Sequence, residues 1–402
     1  MNYYTFMFSS LLLALLLAGC QTNAQPVPAR TPGAAPALEE TAVFRNGEGG
    51  YNCYRIPAIV RAPDGALLAF AEGRRKDCDD FGDIDIVLRI SRDGGKTWGD
   101  PILAVDYGAN QAGNPAPVFD LTDPRYPNGR LFLVYNTGIT SESNVRQGKA
   151  IREVWYKTST DGGKSWSEAV DITTQVNRPN KPDANPAYTF TEDWRSYANT
   201  PGHALQLRRG RYAGRLFVAA NHSAGPPQPQ FRDYRAHGFY SDDHGKTWKL
   251  SPSVDYPGGN ESTAAETSDG KVLMNIRNQS GDVKNRLQAV SPDAGVSWNA
   301  VQVMTALPDP VNQGSILTYQ TADGRHVLLF SNAAHQTKRE NLTVRISTDD
   351  GRNWSAGRTV YGGSAAYSDL VVQQDGQIGV LYERDDYTVI TYAHFPFEWL
   401  IQ

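Results

Sequence analysis

The stretch Ser91-Arg92-Asp93-Gly94-Gly95-Lys96-Thr97-Trp98 decides the fold, because its pattern returns. Ser-x-Asp-x-Gly-x-x-Trp occurs five times: Ser91–Trp98, Ser159–Trp166, Ser241–Trp248, Ser291–Trp298 and Ser347–Trp354. The Asp carboxylate can accept backbone N–H bonds inside a turn, the Gly supplies positive φ, and the Trp packs back under its hairpin. A second, looser repeat sets a turn before a short apolar strand. It reads Asp64-Gly65 before LLAFAE, Asn128-Gly129 before LFLVYN, Gly214-Arg215 before LFVAAN, Asp269-Gly270 before VLMNIR, Asp323-Gly324 before HVLLFSN and Asp375-Gly376 before IGVLYE. Few segments show helical period; short β runs between turn signals dominate.

Units of roughly 50–80 residues made only of strand and turn predict an all-β fold, a six-bladed β-propeller with four antiparallel strands per blade. In each unit the Asp/Asn-Gly turn joins strands one and two, and the octet joins strands three and four. The sixth unit has no octet. After Tyr382 it offers one more strand, Thr388–Phe395, and its missing fourth strand is assigned to Thr41–Arg45. That N-terminal strand would close the ring and remove two exposed sheet edges. A single domain over residues 41–402 is expected, rather than the two or three that length alone suggests.

Residues 6–18 (FMFSSLLLALLLA) form an apolar run too short for a confident membrane span. The run ends in Leu17-Ala18-Gly19-Cys20, which resembles a bacterial lipoprotein signal with Cys20 as the acylated first residue. MNYYT departs from that pattern by lacking Lys and Arg, and an ordinary secretory peptide is the alternative. The expected boundaries are a signal at 1–19 and an acylated Cys with a Pro/Ala tether at 20–40. The chain is accordingly expected to be exported and lipid-anchored to the bacterial outer membrane, periplasmic or at the surface, and monomeric.

Net charge is −4 and no basic block runs along the chain, which argues against nucleic acid as a partner. Arginine outnumbers lysine more than two to one, and planar guanidinium groups suit carboxylates. Three cysteines do not make a disulfide scaffold, and the seven histidines are scattered without H-E-x-x-H. With no C-x-x-C either, no built-in metal and no cofactor is expected.

In a four-stranded antiparallel blade both repeats mark one face. The opposite face is built from the approaches to strand one and the connections leaving strand two. Arg55 (Tyr54-Arg55-Ile56-Pro57) lies nine residues before Asp64, Glu261 eight before Asp269, and Tyr367 eight before Asp375. The other connections supply Glu72 and Arg74, the acidic loop Asp77–Asp83, Arg277 with Asn278, and Lys338-Arg339-Glu340. One central pocket would then hold several arginines, several carboxylates and a tyrosine.

These features resemble a bacterial exo-α-sialidase (neuraminidase), an Asp-box glycoside hydrolase. The carriers are Tyr54-Arg55-Ile56-Pro57, the five Asp boxes, Phe70-Ala71-Glu72-Gly73-Arg74, and Gly82-Asp83-Ile84-Asp85-Ile86-Val87, within a similarity spanning about residues 41–402. The resemblance implies hydrolysis of terminal α-linked sialic acids from glycoproteins, glycolipids and oligosaccharides, with free sialic acid as product. Three arginines would hold the substrate carboxylate: Arg55, Arg277 and Arg339, with Arg345 the alternative for the third. The nucleophile would be Tyr367 with Glu261 as its base, sialidases being an exception to carboxylate attack. A neutral phenol approaches a carboxylate-bearing anomeric carbon without charge repulsion, but it needs a base beside it. Asp80 would be the general acid, Asp83 and Asp85 would serve the strand entrance, and Glu72 and Arg74 would line the sugar pocket.

Two other classes share parts of this pattern. A non-catalytic sialoside-binding propeller would lack Tyr367, Glu261 or an arginine; an Asp-box glycosidase on neutral glycans would have no use for three arginines. Cys53 lies two residues from Arg55, and Cys78 two from Asp80. The two either pair, pinning the acid loop, or remain separate thiols.

Overall fold

Turn-separated β runs give 24 strands among the described residues, beside three α-helices of only four or five residues. The computed structural model describes Met1 and residues 37–402. The signal at 1–19, Cys20 and the tether as far as residue 36 lie outside the described residues. The strands form four sheets of seven, five, four and eight members. Pairing is antiparallel throughout, apart from one parallel pairing of Ile84 with Gln111.

Strands that follow one another in the chain pair with one another, as parallel-free hairpin topology allows. Cys53–Arg61, Leu67–Arg74, Ile84–Ser91 and Ile102–Val105 set the pattern. Register gives such a run two distinct ends. Arg61 stands opposite Leu67 and Leu67 opposite Ser91, so the Asp64-Gly65 turn and the octet share one end. Asp64 and Arg92 are salt-bridged there at 2.9 Å. Cys53, Arg74 and Ile84 line up at the other end.

The strand Arg358–Val372 serves two neighbours, pairing first with Glu340–Ser347 and then with Ile378–Arg384. The N-terminal strand Glu39–Arg45 pairs with Val389–Phe395, near the end of the chain. It starts two residues earlier than the expected Thr41. Glu39 and Glu40 pair with His394 and Ala393, and the Glu40 carboxylate accepts hydrogen bonds from the Tyr382 hydroxyl and, at 3.4 Å, from Arg384.

The octets form as their residue types require. Asp93 Oδ1 accepts from the Ser91 hydroxyl (2.8 Å) and from the N–H groups of Lys96 (3.1 Å) and Thr97 (2.9 Å). Asp93 Oδ2 accepts from the Thr97 hydroxyl at 2.6 Å, and Ser91 Oγ accepts from the Gly95 N–H at 2.8 Å. The Thr97 hydroxyl leads the set of bonds that hold the Asp93 carboxyl down at about 2. Asp161, Asp243, Asp293 and Asp349 repeat the arrangement.

The tryptophans pack under their own hairpins as expected, Trp248 lying 5.5 Å from Phe239 and Trp98 Nε1 donating to the Gly95 carbonyl at 3.1 Å, and they also reach beyond them. Trp166 meets Phe70 edge-on at 6.3 Å, Trp248 meets Phe132 at 6.3 Å and Trp298 meets Phe217 at 6.1 Å, each partner belonging to the preceding run. Trp98 meets Tyr392, on the strand that pairs with Glu39–Arg45, at 5.5 Å. A lone hairpin has no second apolar face to cover, whereas two neighbouring sheets do. The core accordingly straddles adjacent runs, as where Val118, Phe132 and Val134 pack with Leu216, Val218, Phe239 and Trp248. Gly95 is needed for the same contact: its φ is +91° and a Cβ would stand 2.1 Å from the Tyr392 ring.

Candidate active site

Several candidate side chains stand where the sheet register breaks. Four of the irregularities, between Arg55 and Ala58, Gly113 and Ala116, Gly259 and Ser262, and Ala365 and Ser368, lie on the first strand of a run. A bulge bends its strand and re-aims the side chains beside it. Arg55, Asn114, Glu261 and Tyr367 lie at or inside these breaks. The first bulge puts Ile56 at φ +60°, an outlier for a β-branched residue. Glu383 stabilises it: Oε1 accepts from the Ile56 N–H (2.9 Å) and from Arg55 Nε (2.7 Å), and Oε2 accepts from the Tyr367 N–H (3.1 Å).

Around Tyr367 the expected residues meet. Its hydroxyl donates to Glu261 Oε1 at 2.6 Å and accepts from the Arg277 guanidinium at 2.8 Å. The same Arg277 nitrogen is 2.5 Å from Glu261 Oε2. The guanidinium carbons of Arg55 and Arg339 lie 5.6 and 5.8 Å from the Tyr367 ring centre. Burial pushes the Tyr367 phenol well up, helped by the Glu261 charge, against the pull of Arg277 and Arg339. The phenol is therefore neutral at ordinary pH. Burial lowers Arg277, but the Glu261 charge and its hydrogen bond outweigh it and hold the guanidinium firmly protonated.

Arg345 is not part of this group. It donates to Asn332 at 3.2 Å, its Nε is buried without a partner, and burial pulls it down to about 10. Arg339 is the arginine brought to Tyr367.

The acid loop joins from one side. Arg74 donates to Asp80 Oδ1 at 2.8 Å and to Glu72 Oε2 at 2.7 Å, and Arg55 lies 4.0 Å from Asp80. Asp80 is 84% exposed at its side chain, unlike every other member of the site. Partial burial of its inner side raises its carboxyl, but Arg74 and then Arg55 pull it below the ordinary carboxylate range. Cys53 and Cys78 are disulfide-bonded with Cα atoms 5.3 Å apart, so the loop is pinned to the strand that carries Arg55. Asp85 and Asp83 brace its base, where Arg75 lies 2.6 Å from Asp85 and 3.2 Å from Asp83 and Tyr51 donates to Asp85 at 2.7 Å.

Several site residues escaped the sequence. Glu383 ends the strand motif IGVLYE at the position held by Glu72 in LLAFAE and Arg277 in VLMNIR, and that shared register was a usable signal. Asn114, at φ +54°, donates its N–H to Glu72 Oε1 at 2.9 Å. Arg152 reaches across Gly138, where a Cβ would meet its guanidinium, to donate to Gln111. Below Tyr367, Gln313 bonds both the N–H and the carbonyl of Ser368 at 3.0 Å. The buried Asp369 carboxylate accepts from the Ile59 N–H (2.8 Å), the His203 N–H (2.9 Å) and the Ser315 hydroxyl (2.8 Å), and pairs with His203 Nδ1 at 2.7 Å.

One group among the described residues has metal-ligating types in reach of each other: Asp120, Asp123 and His244. It sits at the octet end and is already occupied, with His244 on Asp120 at 2.8 Å and Arg125 on Asp123 at 2.7 Å.

Comparison with known proteins agrees with this geometry. The family model described as BNR repeat-like domain matches residues 65–380. A sialidase of Micromonospora viridifaciens is 36% identical over 98% of this chain, which spans only 60% of that protein's length. An exo-alpha-sialidase of Aspergillus fumigatus is 30% identical over 97% of both chains. Among solved structures, the Hadza microbial sialidase Hz136 superimposes with a TM-score of 0.76 at 24% identity, covering 90% of this chain and 69% of its own. The β-propeller architecture is thus shared with sialidases, and the chain belongs to the sialidase family of glycoside hydrolases.

Proposed function

We propose that the chain is a retaining exo-α-sialidase, releasing terminal sialic acid from glycoproteins, glycolipids and oligosaccharides with Tyr367 as nucleophile. The observation that carries this is the Tyr367 hydroxyl held between Glu261 Oε1 at 2.6 Å and Arg277 at 2.8 Å. That is the geometry of a nucleophile with its base attached.

Arg55, Arg277 and Arg339 receive the substrate carboxylate and leave its anomeric carbon facing Tyr367. In the first step the phenol proton passes to Glu261 while the oxygen bonds the anomeric carbon. The aglycone oxygen leaves with a proton from Asp80. In the second step water gives its proton to Asp80 and attacks the same carbon, and the tyrosyl oxygen departs with the proton returned by Glu261. Because the phenol is raised rather than lowered, a preformed phenolate is not available, and transfer to Glu261 has to accompany attack. Asp80 must be protonated for the first step although Arg74 and Arg55 favour its anion. The incoming carboxylate cancels part of that positive field, and the aglycone covers the exposed carboxyl, so substrate itself raises Asp80.

We further propose six blades closed by the Glu39–Arg45 strand, which the Glu39–Arg45 pairing with Val389–Phe395 and the Trp98–Tyr392 contact support. Export with a lipid on Cys20 and a monomeric state complete the proposal.

Tyr367→Phe tests the chemistry. It keeps the ring packing and deletes the oxygen, so turnover of a fluorogenic sialoside should fall by about three orders of magnitude or more with Tm maintained. Turnover near wild type in a folded Tyr367→Phe enzyme overturns the nucleophile. Release from a fluorogenic β-glucoside and none from the sialoside would overturn the substrate class.

A further inference from the structure

The hairpin between Ile378–Arg384 and Val389–Phe395 turns through three consecutive residues in the left-handed region: Asp385, Asp386 and Tyr387, at φ 53°, 52° and 68°. None is glycine, and each such residue costs on the order of 1–3 kcal/mol unless its surroundings impose it. The surroundings do. Asp385 accepts from the Tyr361 hydroxyl and from Arg384 Nε (3.0 Å), Asp386 accepts from the Ser364 hydroxyl (2.7 Å), and the Tyr387 carbonyl accepts from Asn46 Nδ2 (2.9 Å).

The strained turn delivers one side chain to the site. The Tyr387 ring lies 4.1 Å from the Arg55 guanidinium carbon, and its hydroxyl accepts from Arg339 at 3.0 Å. Tyr387 also packs against the cluster of Ile56, Ala366 and Tyr367. Arg55 is thereby gripped twice, in its plane by Glu383 at 2.7 Å and on its face by Tyr387. Among the described residues the Arg339 guanidinium donates to two groups, the Tyr387 hydroxyl and the Val311 carbonyl at 3.3 Å. Two cations that must converge on one carboxylate repel each other when it is absent. A ring face on one and a phenol oxygen on the other offset that repulsion and fix their spacing.

We propose that Tyr387 is a positioning residue that presets Arg55 and Arg339 for the substrate carboxylate. The proposal rests on the arginine assignment made above. It predicts an effect on binding rather than on the chemical step, because the Tyr387 hydroxyl and ring face go to Arg339 and Arg55, and among the described residues neither bonds the Tyr367 hydroxyl, Glu261 or Asp80.

Tyr387→Phe removes the hydroxyl and keeps the ring; Tyr387→Leu removes both. With the full chain and a fluorogenic sialoside, KM should rise about threefold in Tyr387→Phe and about tenfold or more in Tyr387→Leu, with kcat within twofold in both. The inhibition constant of an unsaturated, carboxylate-bearing sialic acid analogue should rise in parallel with KM. A merely structural role would instead lower Tm and active fraction and leave KM and that constant unchanged. Unchanged KM and inhibition in both folded variants overturn the proposal, and should Tyr387→Leu fail to fold, Tyr387→Phe decides alone. Arg55→Met and Arg339→Met separate the two levels. If they raise KM while the Tyr387 variants do not, Tyr387 is not a positioning residue; if they too are silent, the carboxylate assignment itself fails.

Discussion

The two ends of the strand runs meet the same steric problem in opposite ways. At the octet end, left-handed backbone falls mainly on glycines, such as Gly94 and Gly95 at φ 77° and 91°, with His244, Ala294 and Asp350 the exceptions. Every octet aspartate there is bonded within its own turn. At the site end, left-handed backbone falls on glycines such as Gly258 and Gly281 too, but also on Ile56, Asn114, Asn341 and the run Asp385, Asp386 and Tyr387, residues with side chains to place. Ile56, Asn114 and Tyr387 are bonded by distant parts of the chain, Glu383, Glu72 and Asn46 respectively. One end is a repeated, self-contained device for stability. The other is a set of unique residues held in costly conformations by their neighbours, the expected signature of a working site.

The comparison can be broken by substitution at either end. The largest effect is expected from Glu261→Gln, which removes the carboxylate proposed to take the Tyr367 proton. Activity on a sialoside should fall by roughly 10²–10⁴-fold, with Tm within a few degrees of wild type. A parallel loss of Tm would mean the site end is also a stability device. Replacing Cys53 and Cys78 together by serine sharpens the boundary, since this bond lies at the site end yet closes a loop of sequence separation 25. Stability should drop by about 2–4 kcal/mol in denaturant titration, and kcat should fall severalfold because Asp80 loses its anchor. Asp243→Ala acts at the octet end alone. It should cost about 1–3 kcal/mol by leaving the Ser241 and Thr247 donors unpaired, with kcat/KM per folded molecule unchanged.

Proton linkage gives the smallest and most graded test. The octet carboxyls are held below their ordinary value, Asp93 down to about 2, so their contribution is complete above pH 4 and is lost as pH falls toward 2. His203 is shifted the other way: burial lowers it, but the Asp369 charge and hydrogen bond prevail and raise it. Its contribution is complete below its ordinary 6.5 and is lost as pH rises through the raised value. Thermal melts should show Asp93→Asn flattening the acid limb and His203→Gln the alkaline one. Identical pH profiles in both variants would contradict the linkage.

Legibility followed the same division. The octets and Asp-Gly turns repeat, so strand order and the sharing of one end by both turns could be read directly. Arg55, Glu261 and Tyr367 were legible because they keep a fixed distance from the following turn. Glu383 shared an equally regular position but ends a strand of ordinary apolar composition, and only its carboxylate's two-sided grip reveals a role. Tyr387 had no signal, since Asp-Asp-Tyr does not announce a left-handed turn as Asn-Gly would. Arg339 and Arg345 could not be separated by sequence, because what divides them is that Arg345 reaches Asn332 within its own sheet while Arg339 precedes the strand body. The tryptophans were legible only in part for a related reason: a repeat specifies the hairpin but not which neighbouring sheet covers it.

The central claim is that Tyr367 attacks and water then displaces it, two inversions at one carbon. Proton NMR of a sialoside digest, recorded before the sugar mutarotates, reads this directly. The account predicts that the α-anomer of free sialic acid appears first and the β-anomer grows only later; β-anomer as the initial product would contradict it.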